Sequence, residues 1–312
     1  MKLTKEVLEV WISNALIGHI HLFNCIIICI YLNLRRKFPM MIVNTKKCVG
    51  CGRCVKDCFP MDIEIVHSKA EIKNVACFKC GHCIAVCPKN AISTDEYNME
   101  DVKDYNKEDF AIDADNLLNF IKFRRSIRKF KDKEVKDKKL SKIIEAGRFT
   151  QTSSNMQDVS FIVIKDNLTE LKTLTLKALN KLGEDILADE SSQNVLFRRY
   201  ANMWITMNEQ FKKDPVKNDK LFFNAPALIV VTATSDINGA LASSNMELMT
   251  NALGLGTFFS GFFVRAAKSD KKITDFLEVQ EGKHVVTCMA IGYPDVNYLR
   301  TVPRKKPEVF WK

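Results

Sequence analysis

The chain has no G-x-G-x-x-G spacing after a strand, no Ser-His-Asp or Cys-His constellation, and no basic stripe interleaved with aromatics. The first absence leaves it without a recognisable dinucleotide-binding Rossmann unit. The second leaves nucleophilic hydrolysis without residues to carry it. The third argues against nucleic acid as a partner, although the formal net charge is +10. Charge itself is missing from one stretch. From Ala15 to Leu34, 20 residues contain no Lys, Arg, Asp or Glu, and Arg35, Arg36 and Lys37 follow. Length and flanking charge fit a membrane span with its basic end in the cytoplasm, whereas His19, His21, Asn24 and Asn33 interrupt it. No small-residue cleavage site follows, which argues against a cleaved signal peptide.

Cysteine, by contrast, is abundant and ordered. Eight of 11 cysteines form two copies of one spacing, C-x2-C-x2-C-x3-C: Cys48, Cys51, Cys54 and Cys58, then Cys77, Cys80, Cys83 and Cys87 with Pro88 behind them. This is the run whose thiolates hold [4Fe–4S] clusters. Three ligands two residues apart cap three corners of a cubane from one tight turn, and the fourth ligates the other cluster. Cys87 is therefore expected to join Cys48, Cys51 and Cys54, and Cys58 to join Cys77, Cys80 and Cys83. Zinc is the alternative, but zinc sites use two cysteine pairs more often than two quartets. Cluster thiolates belong in a reducing compartment, so the chain is expected to be cytoplasmic. Cys288, alone in the apolar run HVVTCMAIG, reads as a buried core thiol. Loading two clusters of charge −2 would bring the net charge to about +6, and a bound phosphate lower still.

A length of 312 residues suits about two domains, and 46% hydrophobic with 27% charged residues can bury a substantial core. Four segments are expected. Residues 1–40 are an apolar extension, either an anchor or, favoured slightly, the product of a mis-assigned start with Met41 as the true one. Residues 41–97 are the cluster module, with MDIEIVHSKAEIKNVA as a hairpin turning at Ser68 and Lys69. Residues 98–116 are an acidic linker. Residues 117–312 alternate helical and strand patterns. Leu117, Leu118, Ile121 and Phe123 suggest a helix, while VSFIVIKD and APALIVVTAT read as buried strands. Residues 168–213 are mostly helical, MELMTNALGLG is a helix ending at glycine, and HVVTCMAIGYP is a last core strand. The fold class is α+β, a small ferredoxin-like module followed by an α/β domain.

Four motifs in order along residues 117–312 resemble the nitroreductase family of FMN enzymes. With the cysteine module in front, the chain is similar to ferredoxin–nitroreductase fusions of anaerobic bacteria. The first motif is RRSIRKF at 124–130; a flavin phosphate needs several donors at once, which arginine's planar fork supplies. The resemblance implies phosphate, ribityl and ring contacts for Arg124, Arg125, Ser126 and Arg128. The second, TSSNMQ at 152–157, is similar to a family loop that brings Asn155 and Gln157 to the flavin, with Gln151 where proline is common. The third, GLGTFFSGF at 254–262, implies backbone amides of Ser260, Gly261 and Phe262 beside flavin N5 and O4. The fourth is Gly292-Tyr293-Pro294 and the basic tail, implying Arg304, or else Lys305, as a phosphate contact.

The resemblance implies two [4Fe–4S] clusters and FMN as cofactors and a homodimer as the assembly. It also implies electron flow from clusters through flavin to a small acceptor such as a nitroaromatic, quinone or activated olefin. Ferredoxin or NAD(P)H is the expected donor. Met246, Leu248, Met249 and Leu253 have the spacing of an interface helix and equally that of a core face. Two rivals stand beside this reading: an electron-transfer module serving a protein partner, and a specialised reductase with a lid from residues 180–220, including Tyr200, Trp204 and Phe211.

Overall fold

A computed structural model describes residues 41–189 and 195–312 of the chain. The apolar stretch at 15–34 lies outside them, and among the described residues no helix is long and apolar enough to cross a membrane. The chain divides into two compact units, one running to Tyr105 and the other from Asn106.

The first unit is built from two similar halves. Strand β1 (Met41–Val43) pairs antiparallel with β4 (Ile92–Thr94), and β2 (Ile63–Val66) pairs with β3 (Lys69–Ile72) in a hairpin. Two four-residue helices, α1 (Arg53–Lys56) and α2 (His82–Ala85), follow the two cysteine loops. The hairpin turns at His67 and Ser68, both at positive φ, one residue earlier than the sequence suggests. Two successive left-handed residues match the twist of the flanking strands. Buried apolar residues here are few: Met41, Ile63, Ala70, Ala91 and Ile92, packed around Cys48, Cys54 and Cys83. So small a core is marginal for an independent fold, and the cysteines occupy its centre.

The second unit contains the short α3 (Lys107–Phe110), then α4 (Ala114–Phe123) and α5 (Asp137–Arg148). Next come β5 (Ser160–Ile164), α6 (Leu168–Ala188), α7 (Val195–Lys213), β6 (Ala227–Ala233) and α8 (Asp236–Ala252). It closes with β7 (Gly256–Phe259), α9 (Gly261–Ser269), α10 (Lys271–Phe276) and β8 (His284–Gly292). The sheet order is β5-β6-β8-β7, antiparallel throughout.

Why β6 reads as an unbroken apolar run is visible in its packing. Leu228 and Val230 face one core, with Leu171, Leu179, Trp204 and Phe263; Ala227, Ile229 and Val231 face another, with Leu140, Ile143 and Met246. Both faces are covered, so the two-residue alternation is masked in the sequence. On β8 the parity changes: Val285 lies in the same core as Cys288 and Ala290. A bulge opposite Val231/Thr232 supplies the extra residue that makes this parity work. By contrast β5 is an edge strand, and Val163 is exposed, contrary to the expectation of a buried strand.

Met246 is fully buried against Ile229 and Met289, with Met249 and Leu253 packed beside it, so that helix face is core. Trp204 and Phe211 are likewise core residues, with Tyr200 packed at its margin.

Candidate functional site

Each cysteine loop closes on a left-handed glycine, Gly52 or Gly81, that starts the following helix. One position before the middle cysteine the backbone is left-handed again, at Gly50 (φ 64°) and at Lys79 (φ 52°). Gly50 is also sterically required, because a Cβ there would lie 2.3 Å from the Ser68 carbonyl oxygen.

The thiols sort into two groups. Cys48, Cys51, Cys54 and Cys87 line one pocket, together with Gly50, Arg53 and Lys89. Cys77 lies within electrostatic reach of Cys80 and Cys58. Among the described residues no three His, Cys, Asp or Glu side chains converge on a single ion. A quartet of thiols lining one pocket is the donor set of a four-iron cluster.

Backbone amides point at several sulfurs. The amides of Ala70, Lys79 and Ala91 donate to Sγ of Cys48, Cys77 and Cys87 at 3.3, 3.3 and 3.2 Å. The Ala70 amide holds the Cys48 thiol below its ordinary value despite burial. Burial pushes Cys54 and Cys77 up, and Cys83 up to about 12. Metal loading of such thiols must therefore release protons.

In the second unit the RRSIR segment is stitched to two strands at once. Ser126 bridges Thr257 on β7, the Ile127 amide donates to the Thr257 carbonyl at 3.0 Å, and the Lys131 amide donates to Tyr293 O at 2.8 Å. The closeness of β7 explains Gly256, where a Cβ would sit 2.4 Å from Ile127. The four expected contacts then part company. Arg124 is committed to Glu247 on α8 at 2.7 Å. Arg125 donates from Nη1 to the Lys122 carbonyl at 2.7 Å, while its Nε and Nη2 are buried with no acceptor. Ser126 is exposed, and Arg128 lies over the Phe258 ring at 5.5 Å.

Buried guanidinium donors without a partner are costly, since each forfeits its hydration. An oxyanion is the group that would satisfy them, so Arg125 fits a phosphate. On β7, across the bridge from Ser126, the Thr257 hydroxyl is also buried and unsatisfied. Neither Thr257 nor Glu247 stands out in the sequence; the hint is a lone hydroxyl within the apolar strand GTFF and a lone carboxylate on an otherwise uncharged helix stretch.

Asn155 and Gln157 lie on a loop in which Ser154, Asn155 and Gln157 all have positive φ. The Thr152 hydroxyl accepts from the Gln157 amide at 2.9 Å, and the side-chain Oδ1 of buried Asn238 accepts from the Ser153 amide at 3.3 Å. These bonds hold the loop where the usual proline is absent. At the third motif the three residues differ in their backbone amides. The Ser260 amide is spent on the Cys288 carbonyl at 2.8 Å, because this residue extends the β7–β8 pairing. Gly261 and Phe262 open α9, where helix geometry leaves amides without internal acceptors. Phe262 packs against Tyr200 and Trp204 at 5.8 and 5.7 Å between ring centroids. Arg304 and Lys305 are not brought to this site: they lie on an exposed tail without secondary structure.

Comparisons with known proteins agree with this division. Residues 121–293, more than half of the chain, match the Nitroreductase family, and residues 40–105 match a 4Fe-4S dicluster domain. An NADPH-dependent oxidoreductase of Staphylococcus haemolyticus is 28% identical over 182 residues, covering 58% of this chain and 66% of that protein. The chain thus spans just under two thirds of that relative's length. A component of an ion-translocating oxidoreductase complex from Methanosarcina acetivorans is 42% identical over 45 residues, 14% of this chain and 17% of that one. Among solved structures, a BluB-like flavoprotein from Clostridium difficile 630 is 24% identical, covering 65% of this chain and 100% of its own, with a TM-score of 0.48. A nitroreductase with bound FMN from Desulfitobacterium hafniense is 21% identical, covering 62% and 97%, with a TM-score of 0.46.

Proposed function

This chain belongs to the nitroreductase family, and from that premise we propose that it is an iron–sulfur flavoprotein reductase acting on a small electrophile. Bound clusters would supply one-electron storage and FMN the two-electron chemistry, on an acceptor such as a nitroaromatic, quinone or activated olefin. The observation that carries the reading is a pair of prepared sites on one chain: a cysteine quartet lining one pocket, and an Arg125 whose Nε and Nη2 are buried without an acceptor.

The residues have distinct tasks. Arg125 holds the phosphate, and Thr257 offers a hydroxyl beside the arginine segment. Asn155 and Gln157 supply polar contacts from a braced loop. The open amides of Gly261 and Phe262 favour negative charge at the ring edge, as helix N-termini do. Glu247 on α8 holds Arg124 in an ion pair. Cys48, Cys51, Cys54 and Cys87 hold one cluster, and Cys58, Cys77, Cys80 and Cys83 the other. A nicotinamide or a reduced ferredoxin is the donor.

A second copy of the chain completes the flavin site. The tail bearing Arg304 and Lys305 exposes Phe310 and Trp311 at 83% and 93%, and α4 exposes Leu117, Leu118, Ile121 and Phe123. Burying one such large apolar side chain is worth about 1.5–3 kcal/mol, and a dimer buries them.

The test is anaerobic purification with iron, sulfide and flavin analysis, then turnover with an acceptor series. About eight irons and one FMN per chain, with acceptor-dependent reoxidation, are expected. Zinc in place of iron, or a chain that takes up no flavin, would overturn the proposal. A rival role as an electron-transfer module has one observation in its favour: Phe59, Met61 and Val75 are exposed near Cys58 and Cys77 in sequence, a face suited to a protein partner. Slow turnover of every small acceptor with fast ferredoxin exchange would select it.

A further inference from the structure

The two cysteine quartets are related by spacing, yet their surroundings carry opposite charge. Around Cys48, Cys51, Cys54 and Cys87, two sulfurs receive backbone amides, from Ala70 and Ala91. Lys69 donates to the Cys48 carbonyl at 2.5 Å, and Arg53 and Lys89 line the pocket. Among the described residues none of these three cations has a carboxylate partner.

Around Cys58, Cys77, Cys80 and Cys83 the cations are cancelled. Lys79 gives its backbone amide to Cys77, but its ammonium is tied to Glu96 at 2.5 Å. Nearby, the Asp57 carboxylate lies 3.2 Å from the His82 ring. Asp62 is 3% exposed, and its Oδ1 accepts from the amides of Val75 and Ala76, immediately before Cys77. Its Oδ2 is buried with no partner at all. A carboxylate oxygen left unpaired in a low-dielectric setting projects its charge onto whatever lies next to it.

Resting on the iron–sulfur reading above, we propose that the two sites hold electrons unequally: Lys69 and the two amides favour an added electron at the Cys48 quartet, and Asp62 disfavours one at the Cys58 quartet. Net charge and hydrogen bonds to sulfur are the levers that set cluster potentials. Burial pulls weakly the other way, because added negative charge prefers water. Its effect is small here: Cys54 and Cys83 occupy equivalent buried positions, so the quartets differ mainly at Cys48, the sulfur that Ala70 serves. The step is a bare electron transfer. One electron leaves the external reductant or the Cys58 site and arrives at the Cys48 site, with no bond made or broken and no proton moved.

The experiment is an anaerobic titration of the full-length holoprotein with dithionite, followed by electron paramagnetic resonance. Two separated one-electron steps are expected. Asp62→Asn keeps the acceptor toward Val75 and Ala76 but removes the charge. It should raise the lower step, and a tenfold change in its equilibrium constant would read as 59 mV. Lys69→Met, which keeps the aliphatic stem of this half-buried side chain and removes its ammonium, should lower the upper step. A single unsplit step in the native protein, or movement of the upper step by Asp62→Asn, would overturn the ordering. Fewer than about eight irons per chain in the native protein would instead sink the iron–sulfur reading on which it rests.

Discussion

Asp158 shows how one side chain positions a site without touching it. Its Oδ2 accepts from the amides of Thr234 and Ser235 at 3.0 and 3.1 Å and from the Thr234 hydroxyl, and its Oδ1 accepts from Asn238 at 2.7 Å. Asn238 in turn braces the loop of Asn155 and Gln157. Burial alone would raise the Asp158 carboxyl, but the bonds from Thr234, Asn238 and Ser235 outweigh it and hold it below the usual value. A carboxylate so depressed contributes stability above its unfolded pKa of about 3.9, and loses it as pH falls through the folded value. Asp158→Asn should therefore lower the melting temperature at pH 7, by about 1–3 kcal/mol of stability. The gap to the native protein should close in acid below pH 4; a gap constant across that range would show the charge is irrelevant. None of this was legible beforehand. The arginine run and the cysteine spacing announce themselves, because their chemistry is written in residue type. Asp158, Asn238, Glu247 and Thr257 act through partners 76 to 131 positions away, which no local pattern records.

At the scale of elements, the cysteine loops make a sharp comparison. Gly50 and Lys79 occupy matching left-handed positions, yet Lys79 carries a Cβ there, whereas one at Gly50 would meet the Ser68 carbonyl. Gly50→Ala should displace the first loop and reduce bound iron from about eight toward four per chain, whereas Lys79→Ala should leave iron content unchanged. Equal iron in both variants, measured after anaerobic reconstitution, would refute the steric reading. Helices and strands of the second unit follow their hydrophobic spacing well, with two instructive departures. Edge position exposes Val163 on β5, and a bulge in β8 switches which residues face which core. Both are properties of neighbours, set when the sheet assembles.

For the molecule as a whole, the open question of the sequence was whether the Met246 helix forms an interface. It forms core, and the unpaired apolar surface lies instead on α4 and on the tail ending in Phe310 and Trp311. If the dimer proposed above forms, removing residues 300–312 should leave a monomer by analytical ultracentrifugation and weaken FMN binding at least tenfold, with bound iron unaffected. A truncated chain that stays dimeric with full flavin affinity would place the interface elsewhere. The two-unit organisation was readable because each unit has its own grammar, metal spacing in one and hydrophobic periodicity in the other. Which arginine has free donors was not readable, since Arg124 and Arg125 are adjacent and differ only in what the fold brings against them.

The stitching of the arginine segment also bears on the order of events at the ribosome. Every strand of the first unit has been made by Thr94, so its cysteine loops can close while most of the chain is still unsynthesised. Arg125 is different: its segment is fixed by Thr257 and by Tyr293, residues that emerge near the end of translation. At ~5–20 residues per second, the nascent chain spends roughly 10–40 seconds with the Arg125 segment unfixed behind a finished cysteine module. Metal insertion can therefore precede release, whereas flavin capture must follow it, and a stalled or truncated chain would accumulate as an iron protein with no colour from flavin.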